Sequence, residues 1–429
     1  FQQLYSFVDS VVVGRGIGAQ ALAAVGATSI VVWLTLGFAM GLTRGFCIHI
    51  SQAYGKKDYH LVNRGFFVAS VLSLIVGAMI SIVGSLAIRD FLILMHTPGE
   101  ILEQSLDYIK VILLGFVITV LNNLFMSVLQ SLGDSSTPFW ALLVSSVTNI
   151  GLDCVFVLTL KWGVQGAAAA TVLSQVFSFA ICAAGLKRLK FVSILDGSKS
   201  KNARLTVRML KTGLPVGIMS MVTAVGGMIL QFFVNDLGAS AVAAYAASTK
   251  IRSVIGEFSN AMGMTFMTFV GQNYGAQKYD RIKAGVRMGV LLSILIHIPL
   301  SAVEIFGGKR IASLMVTDPP VLELCRQYLL IVGIFVFFLG FLMVFRNCIQ
   351  GMGNTWIPML SGGLEVFSRL IFGYWLGRHS FMGIAAAEAS AWISVSIMLG
   401  SSFFILFRKV LRTQTPENTT DTKNIRTVS

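Results

Sequence analysis

Charged residues are scarce in this chain of 429 residues. They make up 12% of it, whereas a soluble domain contains roughly 25%. Hydrophobic residues make up 55%, and apolar runs near the ~20 residues that cross a bilayer recur along the whole chain. The composition excludes an ordinary soluble protein and predicts an all-α polytopic membrane protein in contact with the lipid bilayer.

Cysteine is also rare, and its distribution excludes two further classes of protein. The five cysteines are odd in number, scattered and mostly within apolar runs, so they predict neither a disulfide framework nor a metal-binding motif. The sequence has no aspartate-rich metal motif and no nucleophile–base pair, one of which a membrane enzyme acting on lipids would need. We therefore expect a protein that is not an enzyme and has no cofactor.

Acidic residues are outnumbered by basic ones, and the net charge is +14. Most lysines and arginines gather in three connections, 56–64, 187–211 and 278–287, and in the tail after residue 407. These segments lack the aromatic and groove-reading context of a nucleic-acid surface, so no nucleic-acid partner is expected. Positive charge marks cytoplasmic loops instead. It predicts a multi-pass protein of the cell membrane (plasma or bacterial inner membrane) with a cytoplasmic linker and C-terminus.

The same set of residues occurs twice, at a constant spacing of 220 positions. One copy contains Gln52, Tyr54, Gly55, Tyr59, Gln130, Gly133 and Pro138, and the other contains Gln272, Tyr274, Gly275, Tyr279, Gln350, Gly353 and Pro358. A spacing held over about 120 residues indicates a duplicated structural unit, because chance matches would drift. Each copy contains six apolar runs, so both have the same orientation and form a parallel repeat.

Twelve transmembrane helices are therefore predicted, six in each of two lobes. The spans lie near residues 1–13, 21–50, 65–88, 108–130, 138–160, 164–186, 213–236, 241–270, 284–306, 322–350, 356–376 and 381–407. The predicted units are an N-lobe at 1–186, a basic cytoplasmic linker at 187–212, a C-lobe at 213–407 and a cytoplasmic tail at 408–429. The repeat partner of the first span begins near Gly213, so we expect the first helix to begin upstream of Phe1.

Six ionisable side chains of the C-lobe lie at mid-span depth. They are Lys250, Arg252, Glu257, Glu365, Arg369 and Glu388. A buried charge in a membrane marks a functional site by default. This set can neutralise itself, so we expect a structural ion network, with ligand binding as the alternative. Arg44 and Arg346 lie near helix ends and are expected to extend to the membrane surface.

The N-lobe contains two deeply placed acids, Asp9 and Asp153, with no basic residue at comparable depth. Asn149 lies one turn before Asp153, and Thr171 in the sixth span can add a hydroxyl oxygen. Such oxygens suit a proton or a small alkali cation such as Na⁺. Two uncompensated acids in a low dielectric favour uptake of that cation, as in a coupled transporter. A pair of protonated structural carboxyl groups is the alternative.

The two lobes differ at this acid cluster. In the C-lobe, the partners of Asp9, Asn149, Asp153 and Thr171 are, in that order, Ile229, Arg369, Gly373 and Glu388. The last pair follows a local spacing of 217 rather than 220. The halves thus agree at turns and helix ends, where the fold requires it, and differ where the predicted cation site lies.

Four stretches of the sequence resemble the MATE (multidrug and toxic compound extrusion) family. They are Gln2 to Asp9, Gly14 to Gly26, Asn149 to Asp153 with Gly166 to Thr171, and Gly271 to Ala276. The resemblance extends over essentially the whole chain, and it is the combination of motifs that is specific. It implies a V-shaped, twelve-helix exporter of cationic amphipathic compounds that works in exchange for Na⁺ or H⁺, and we expect a monomer.

The resemblance also implies roles for individual residues. Asp9, Asn149, Asp153 and Thr171 are similar to the N-lobe cation site of the bacterial DinF-like branch. Tyr5 is similar to a polar residue beside that site. Other branches have a glutamate in the seventh span, and this chain has no acid between Gly213 and Asn235, so coupling through such a residue is not expected.

We therefore predict an ion-coupled antiporter that exports cationic drugs or toxic organic compounds by alternating access. One alternative is a flippase for lipid-linked oligosaccharides from the same superfamily. Its pore would favour several basic residues to hold pyrophosphate, and Arg252 and Arg369 are the only arginines at mid-depth. A channel is disfavoured by the duplicated two-lobe design.

Overall fold

Helices make up nearly all of the chain that a computed structural model describes, namely residues 2–193, 196 and 202–414. Side chains are described for residues 8–193, 196 and 202–412. None of the described residues lies in a β-strand. The apolar runs dictate this result, because a helix satisfies every backbone hydrogen bond within its own segment.

The first half of the chain contains seven α-helices among its described residues. They are α1 (Gln2–Gly16), α2 (Ala19–Gly55), α3 (Tyr59–Leu94), α4 (Gly99–Leu114), α5 (Phe116–Ser131), α6 (Ser136–Asp153) and α7 (Gly163–Arg188). Helix α6 continues into a π-helical turn at Cys154–Thr159. Helices α4 and α5 are joined at Gly115 with a bend of 48°, and together they form one span.

The second half repeats this order. Its helices are α8 (Ala203–Asp236), α9 (Ala239–Gly275), α10 (Tyr279–Ala302), α11 (Gly308–Ala312), α12 (Pro319–Gly351), α13 (Trp356–Phe372) and α14 (Phe381–Gln414). A π-helical turn at Val303–Gly307 joins α10 to α11, and another at Gly373–Gly377 follows α13. The second of these turns repeats the turn after α6.

These elements form twelve helical segments, six in each half, as the sequence predicts. Length and composition alone identify eight helices of the described residues as spans, or nine with the bent pair α4–α5. Helix α1, at 15 residues, is too short for that test, and the ionisable Glu365 and Arg369 lower the hydropathy of α13. Helix α9 is long enough, but Lys250, Arg252 and Glu257 interrupt its apolar surface.

Equivalent turns precede the fifth and the eleventh span, in the two halves of the chain. Gly133 and Gly353 have φ values of 95° and 92°, in the left-handed region that favours glycine. The next residues, Asp134 and Asn354, cap the following helix, because their side-chain oxygens accept from the amides of Thr137 and Ile357 at 3.0 and 3.3 Å. The Gly-x-x-x-x-Pro repeat in the sequence is thus a helix stop followed by a capped start.

Two large hydrophobic clusters form the cores of the two halves. One extends from Leu42 to Met209 and the other from Leu230 to Phe407. Leu205 and Met209 of α8 belong to the first cluster. Helix α8 begins at Ala203 rather than near Gly213, because its apolar residues pack on α2 and α3 where the sequence predicted a linker.

We define the linker side of the bundle as the side on which α7 ends and α8 begins. On this side the lobes touch through glycines. A Cβ atom added at Gly45 of α2 would lie 2.6 Å from the Cα of Gly213 in α8, and one at Gly41 would lie 2.6 Å from the carbonyl oxygen of Val216. Small residues allow two helix backbones to approach this closely.

The repeated glutamines close the same side. The Gln52 amide donates to the carbonyl oxygen of Gly351 at 2.9 Å, and the Gln272 amide donates to that of Ser131 at 2.9 Å. The two hydrogen bonds are related by the repeat, and each joins one lobe to the other. The repeated Gln-x-x-Gly motif is therefore a contact between the lobes.

Candidate functional site

Helices α1 and α6 bring Asp9 and Asp153 together. Their carboxyl groups are close enough to interact with each other electrostatically. Val13, one turn after Asp9, is fully buried in a cluster with Val157 and fixes the face that α1 presents to α6. Two carboxylates at short range repel each other, and a proton or a small cation bound between them removes that repulsion.

The site contains buried polar atoms that have no hydrogen-bond partner among the described residues. These atoms are both oxygens of Asp153, one oxygen of Asp9, and the oxygen and nitrogen of the Asn149 amide. Asp153 and Asn149 are 0% and 1% exposed. Buried polar groups in proteins are nearly always paired, because an unpaired one costs roughly 1–3 kcal/mol. The cluster therefore has the chemistry of a site that is completed by a ligand.

The backbone changes at Asp153, where α6 ends and the π-helical turn Cys154–Thr159 begins. Single π-helical turns occur frequently at functional sites, since the wider turn redirects side chains. Gly16, at the end of α1, packs against this turn, and a Cβ atom there would lie 2.5 Å from the side chain of Leu158. The turn thus sets the position of α1 relative to the acid pair.

Thr171 lies on α7, which runs antiparallel to α6. The Ser145 hydroxyl of α6 donates to the carbonyl oxygen of Ser174 at 3.0 Å, which fixes the alignment of the two helices. This alignment places Thr171 at the level of Asn149, and its side chain is half-buried. Three of the four predicted residues therefore form one buried cluster, and Thr171 lies at its level on the neighbouring helix.

One predicted residue is only partly described, and two polar side chains on neighbouring helices were not predicted to be buried. Tyr5 lies in α1, one turn before Asp9, and its side chain lies outside the described residues. Gln175 of α7 and Asn122 of α5 each have a buried side-chain oxygen with no donor among the described residues. The i+4 spacing of Gln175 from Thr171 was a sequence signal for the former.

The C-lobe contains a continuous chain of ion pairs. Glu365 accepts from Arg346 and Arg369, both at 3.0 Å. Glu388 pairs with Arg252 at 2.8 Å and with Arg369 at 3.5 Å. All but Arg252 have side chains at most 7% exposed. The predicted structural network is therefore present, with four of its six predicted members.

The other members of the network differ from the prediction. Lys250 and Glu257 are exposed, and neither joins this chain of ion pairs. Arg346 does not extend to the membrane surface, since it is buried and binds Glu365. Tyr328 was missed as well, and its hydroxyl donates to Glu388. The spacing of residues along one helix could not reveal the partner of Arg346, because the acid that pairs with it lies on another span.

The repeat allows the two lobes to be compared position by position. Arg369 occupies the C-lobe position of Asn149, and Gly373 occupies that of Asp153. A Cβ atom at Gly373 would lie 2.6 Å from the ring of Phe233, so an apolar side chain fills the space beside this position. The C-lobe thus holds a guanidinium group between two carboxylates where the N-lobe holds unpaired acids. Among the described residues, no lysine or arginine forms an ion pair with Asp9 or Asp153.

A transition-metal site is not indicated by the residues that the structure describes. No group of three or more histidine, cysteine, aspartate and glutamate side chains lies close enough together to hold a metal ion in this part of the chain. The N-lobe cluster is a different donor set, with two carboxylates, an amide and a nearby hydroxyl. Such oxygens suit Na⁺ or H⁺ as a transported ion rather than as a resident cofactor.

The chain is similar to known transporters over most of its length. The sequence model of the MatE family matches residues 1–155 and 215–375. The probable multidrug resistance protein YoeA of Bacillus subtilis (strain 168) is 27% identical over 406 residues, which are 90% of this chain and 88% of the relative. The FAD transporter of Shewanella oneidensis is 24% identical, over 81% of this chain and 77% of the relative.

A solved structure shows the same fold. The crystal structure of MATE in the bent conformation superposes with a TM-score of 0.89 at 24% identity, and covers 96% of this chain and 93% of that one. This similarity confirms the predicted twelve-helix architecture. The family match confirms the predicted resemblance and a non-enzymatic role in membrane transport. Because the matched segments cover more than half of its residues, the chain belongs to the MatE family of membrane transporters.

Proposed function

We propose that the chain is an ion-coupled antiporter that exports cationic amphipathic compounds by alternating access between its two lobes. One observation carries the proposal. The N-lobe buries unpaired polar atoms at the position where the C-lobe holds Arg369 between two glutamates. In the C-lobe the protein supplies its own cation, whereas in the N-lobe a cation has to come from solution.

The coupling ion is H⁺ or Na⁺, bound between α1 and α6. Asp9 and Asp153 supply the charge, and Asn149 and Thr171 supply neutral oxygens. Binding removes the repulsion between the two carboxylates, so α1 packs more closely on α6 when the ion is present. Release of the ion restores the repulsion. The position of α1 therefore depends on the ion, and α1 couples the site to the space between the lobes.

Alternating access requires contacts between the lobes that break when the transporter opens to the other side of the membrane. The glutamine and glycine contacts join the lobes on the linker side, which we infer to be cytoplasmic from the basic residues there. The structure therefore supports a conformation closed to the cytoplasm, and opening to that side requires these contacts to separate.

The exported compound binds between the lobes, beside α9. Glu257 lies at the middle of this helix with an exposed side chain, and it interacts electrostatically with Arg44 of α2. A charged side chain at this depth faces water rather than lipid, because exposure to lipid would be costly. A carboxylate in a water-filled cleft attracts an organic cation. This favours a cationic substrate over an anion such as the one that the FAD transporter carries.

The flippase alternative receives no support from the ion pairs. Arg252 and Arg369 both pair with Glu388, so neither is free to hold a pyrophosphate group. We therefore do not propose a lipid-linked oligosaccharide as the substrate.

The proposal is tested in liposomes that contain the purified full-length protein. Efflux of a fluorescent organic cation is measured under an imposed Na⁺ gradient and then under a pH gradient. We expect one gradient to drive efflux in the wild type, and Asp153→Asn and Asp9→Asn to abolish it. Asp90→Asn is the matched control, since Asp90 is exposed at the end of α3. It is expected to retain full activity.

Two results would contradict the proposal. Gradient-driven efflux retained in Asp153→Asn would exclude the N-lobe pair as the coupling site. No efflux from folded wild-type protein under either gradient would exclude the antiporter and make anionic metabolites the next substrates to measure.

A further inference from the structure

A groove opens on the linker side of the C-lobe, between α10, α12 and α14. Its volume is about 560 Å³. Three basic side chains border it, namely Lys283, Arg287 and Arg408. The rest of its lining is apolar and largely aromatic. Lys283 lies in the first turns of α10 and Arg408 near the end of α14, so we infer that the groove lies at the level of the bilayer surface.

The three basic residues lie together, and the residues that line the groove include no acid. Lys283 and Arg287 are four positions apart on one face of α10, a spacing at which like charges destabilise a helix. Arg408 faces them from α14. Among the described residues, none of the three forms an ion pair. An anion placed among them would remove the repulsion and gain three attractive contacts.

The wall of the groove is a packed aromatic cluster. Phe403 and Phe407 stack with ring centroids 5.5 Å apart, and Phe345 packs on both Phe403 and Phe404 at 5.9 and 6.2 Å. Phe404 is nevertheless 57% exposed. The groove therefore continues from a charged mouth onto an apolar surface, as an amphipathic ligand requires.

The equivalent region of the N-lobe lacks the basic side chains of α10 and is covered. Asn63 and Phe67 stand where the C-lobe has Lys283 and Arg287. After α7 ends at Arg188, the chain folds back, so that the Ser193 amide donates to the Asn63 side chain at 3.0 Å. Phe191 also stacks on the ring of Tyr54 at 5.9 Å. Helix α14 instead continues to Gln414, and no segment among the described residues folds back over the C-lobe groove in this way.

We propose that this groove binds the head group of an anionic phospholipid from the surrounding bilayer. The phosphate contacts Lys283, Arg287 and Arg408, and one acyl chain lies along Phe404 and Val290. A basic pocket between transmembrane helices at a membrane surface is the setting in which such head groups bind. The inference rests on the position of the groove in the membrane and is independent of the coupling site.

The test compares lipid binding by variants of the full-length protein in nanodiscs or detergent. The probe is dioleoyl-phosphatidylglycerol, with dioleoyl-phosphatidylcholine as the neutral lipid, and retained lipid is counted by native mass spectrometry. The variant carries Lys283→Gln, Arg287→Gln and Arg408→Gln. The control carries Lys56→Gln, Lys57→Gln and Lys211→Gln, which remove the same charge from the same side outside the groove.

We expect the groove variant to retain at least about tenfold less phosphatidylglycerol than the wild type, and the control to retain nearly as much as the wild type. Binding of phosphatidylcholine stays unchanged in both. All six positions are exposed, so we expect both variants to fold. Unfolding temperatures equal to that of the wild type would verify this.

Three results would overturn the proposal. Equal loss in the control would show general charge attraction instead of a site. Displacement of the lipid by an equal concentration of inorganic phosphate would make the ligand a free anion. A gain of lipid on truncation after Gln414 would show that the tail occupies the groove in the intact chain.

Discussion

Gln52 and Gln272 occupy equivalent positions in the two repeats and make the same hydrogen bond in opposite directions across the lobe boundary. Each amide donates to a backbone carbonyl oxygen of the other lobe at 2.9 Å. The backbone of each glutamine also lies against a glycine of the other lobe, namely Gly55 for Gln272 and Gly275 for Gln52. A Cβ atom at Gly55 would lie 1.9 Å from the Gln272 carbonyl oxygen, and one at Gly275 would lie 2.0 Å from that of Gln52. The lobes are thus held on the linker side by a symmetric pair of contacts.

Replacing either glutamine with alanine is expected to open the linker side. Each change removes one partly buried hydrogen bond between the lobes, worth roughly 0.5–1.5 kcal/mol, which is about a two- to tenfold shift in the balance of conformations. Spin labels at Lys56 and Gln277, in the turns after α2 and α9, measure the separation. A Cys154→Ser background removes the only exposed cysteine among the described residues.

Gln231→Ala is the matched control for this measurement. The Gln231 amide bonds to Asn235 within α8 at 2.8 Å, so its loss leaves the lobe contact intact. We expect a broader and longer distance distribution for Gln52→Ala and Gln272→Ala, additive in the double variant, and no change for the control. Unchanged distances in the double variant would show that the glutamines do not hold the lobes together.

Gly55→Ala is expected to prevent this conformation from forming. The added methyl group would overlap a backbone oxygen of α9, and neither helix can move aside without separating the lobes. Gly26→Ala in the same helix is the control, since no atom lies within 4 Å of its added Cβ atom. Helix propensity favours that change by roughly 0.5–1 kcal/mol. Thermal unfolding and transport are measured, and wild-type behaviour of Gly55→Ala would refute the close contact.

Glu365→Gln is expected to destabilise the C-lobe by about 3–5 kcal/mol. The change leaves Arg346 and Arg369 buried with one carboxylate partner removed. Glu323→Gln is the same substitution in an exposed pair with Arg326, and we expect it to change stability little, because water screens the charges of an exposed pair. Unfolding temperatures in detergent compare the two. An equal, small effect of both changes would mean that the buried chain of ion pairs contributes nothing to folding.

Asp153→Asn is expected to have the opposite effect on stability from Glu365→Gln. It removes an uncompensated buried acid, so the variant unfolds at the wild-type temperature or above it. The coupling cation, whether added as Na⁺ or as lower pH, is expected to raise the unfolding temperature of the wild type but not that of the variant. A cation effect of the same size in both proteins would place the binding site elsewhere.

Much of this protein could be predicted from the sequence, because the membrane limits the possible structures. Apolar runs of sufficient length have to be helices, so the segments, their number and the parallel repeat follow from spacing and hydropathy. The juxtaposition of Asp9 and Asp153 was also predictable. Two acids in one half with no base at their depth, beside a half in which acids and bases balance, indicate a cation site.

Contacts between distant spans depended on the tertiary structure. The sequence placed Arg346 at a helix end, and only packing showed that Glu365 of the next span binds it. The repeat showed that Gln52 and Gln272 are equivalent, but not that they bond across the lobes. The sequence likewise placed Lys283 and Arg287 in a basic connection, but it did not reveal the aromatic groove beside them. Hydropathy and periodicity describe one helix at a time, whereas these contacts depend on how helices far apart in the chain face each other.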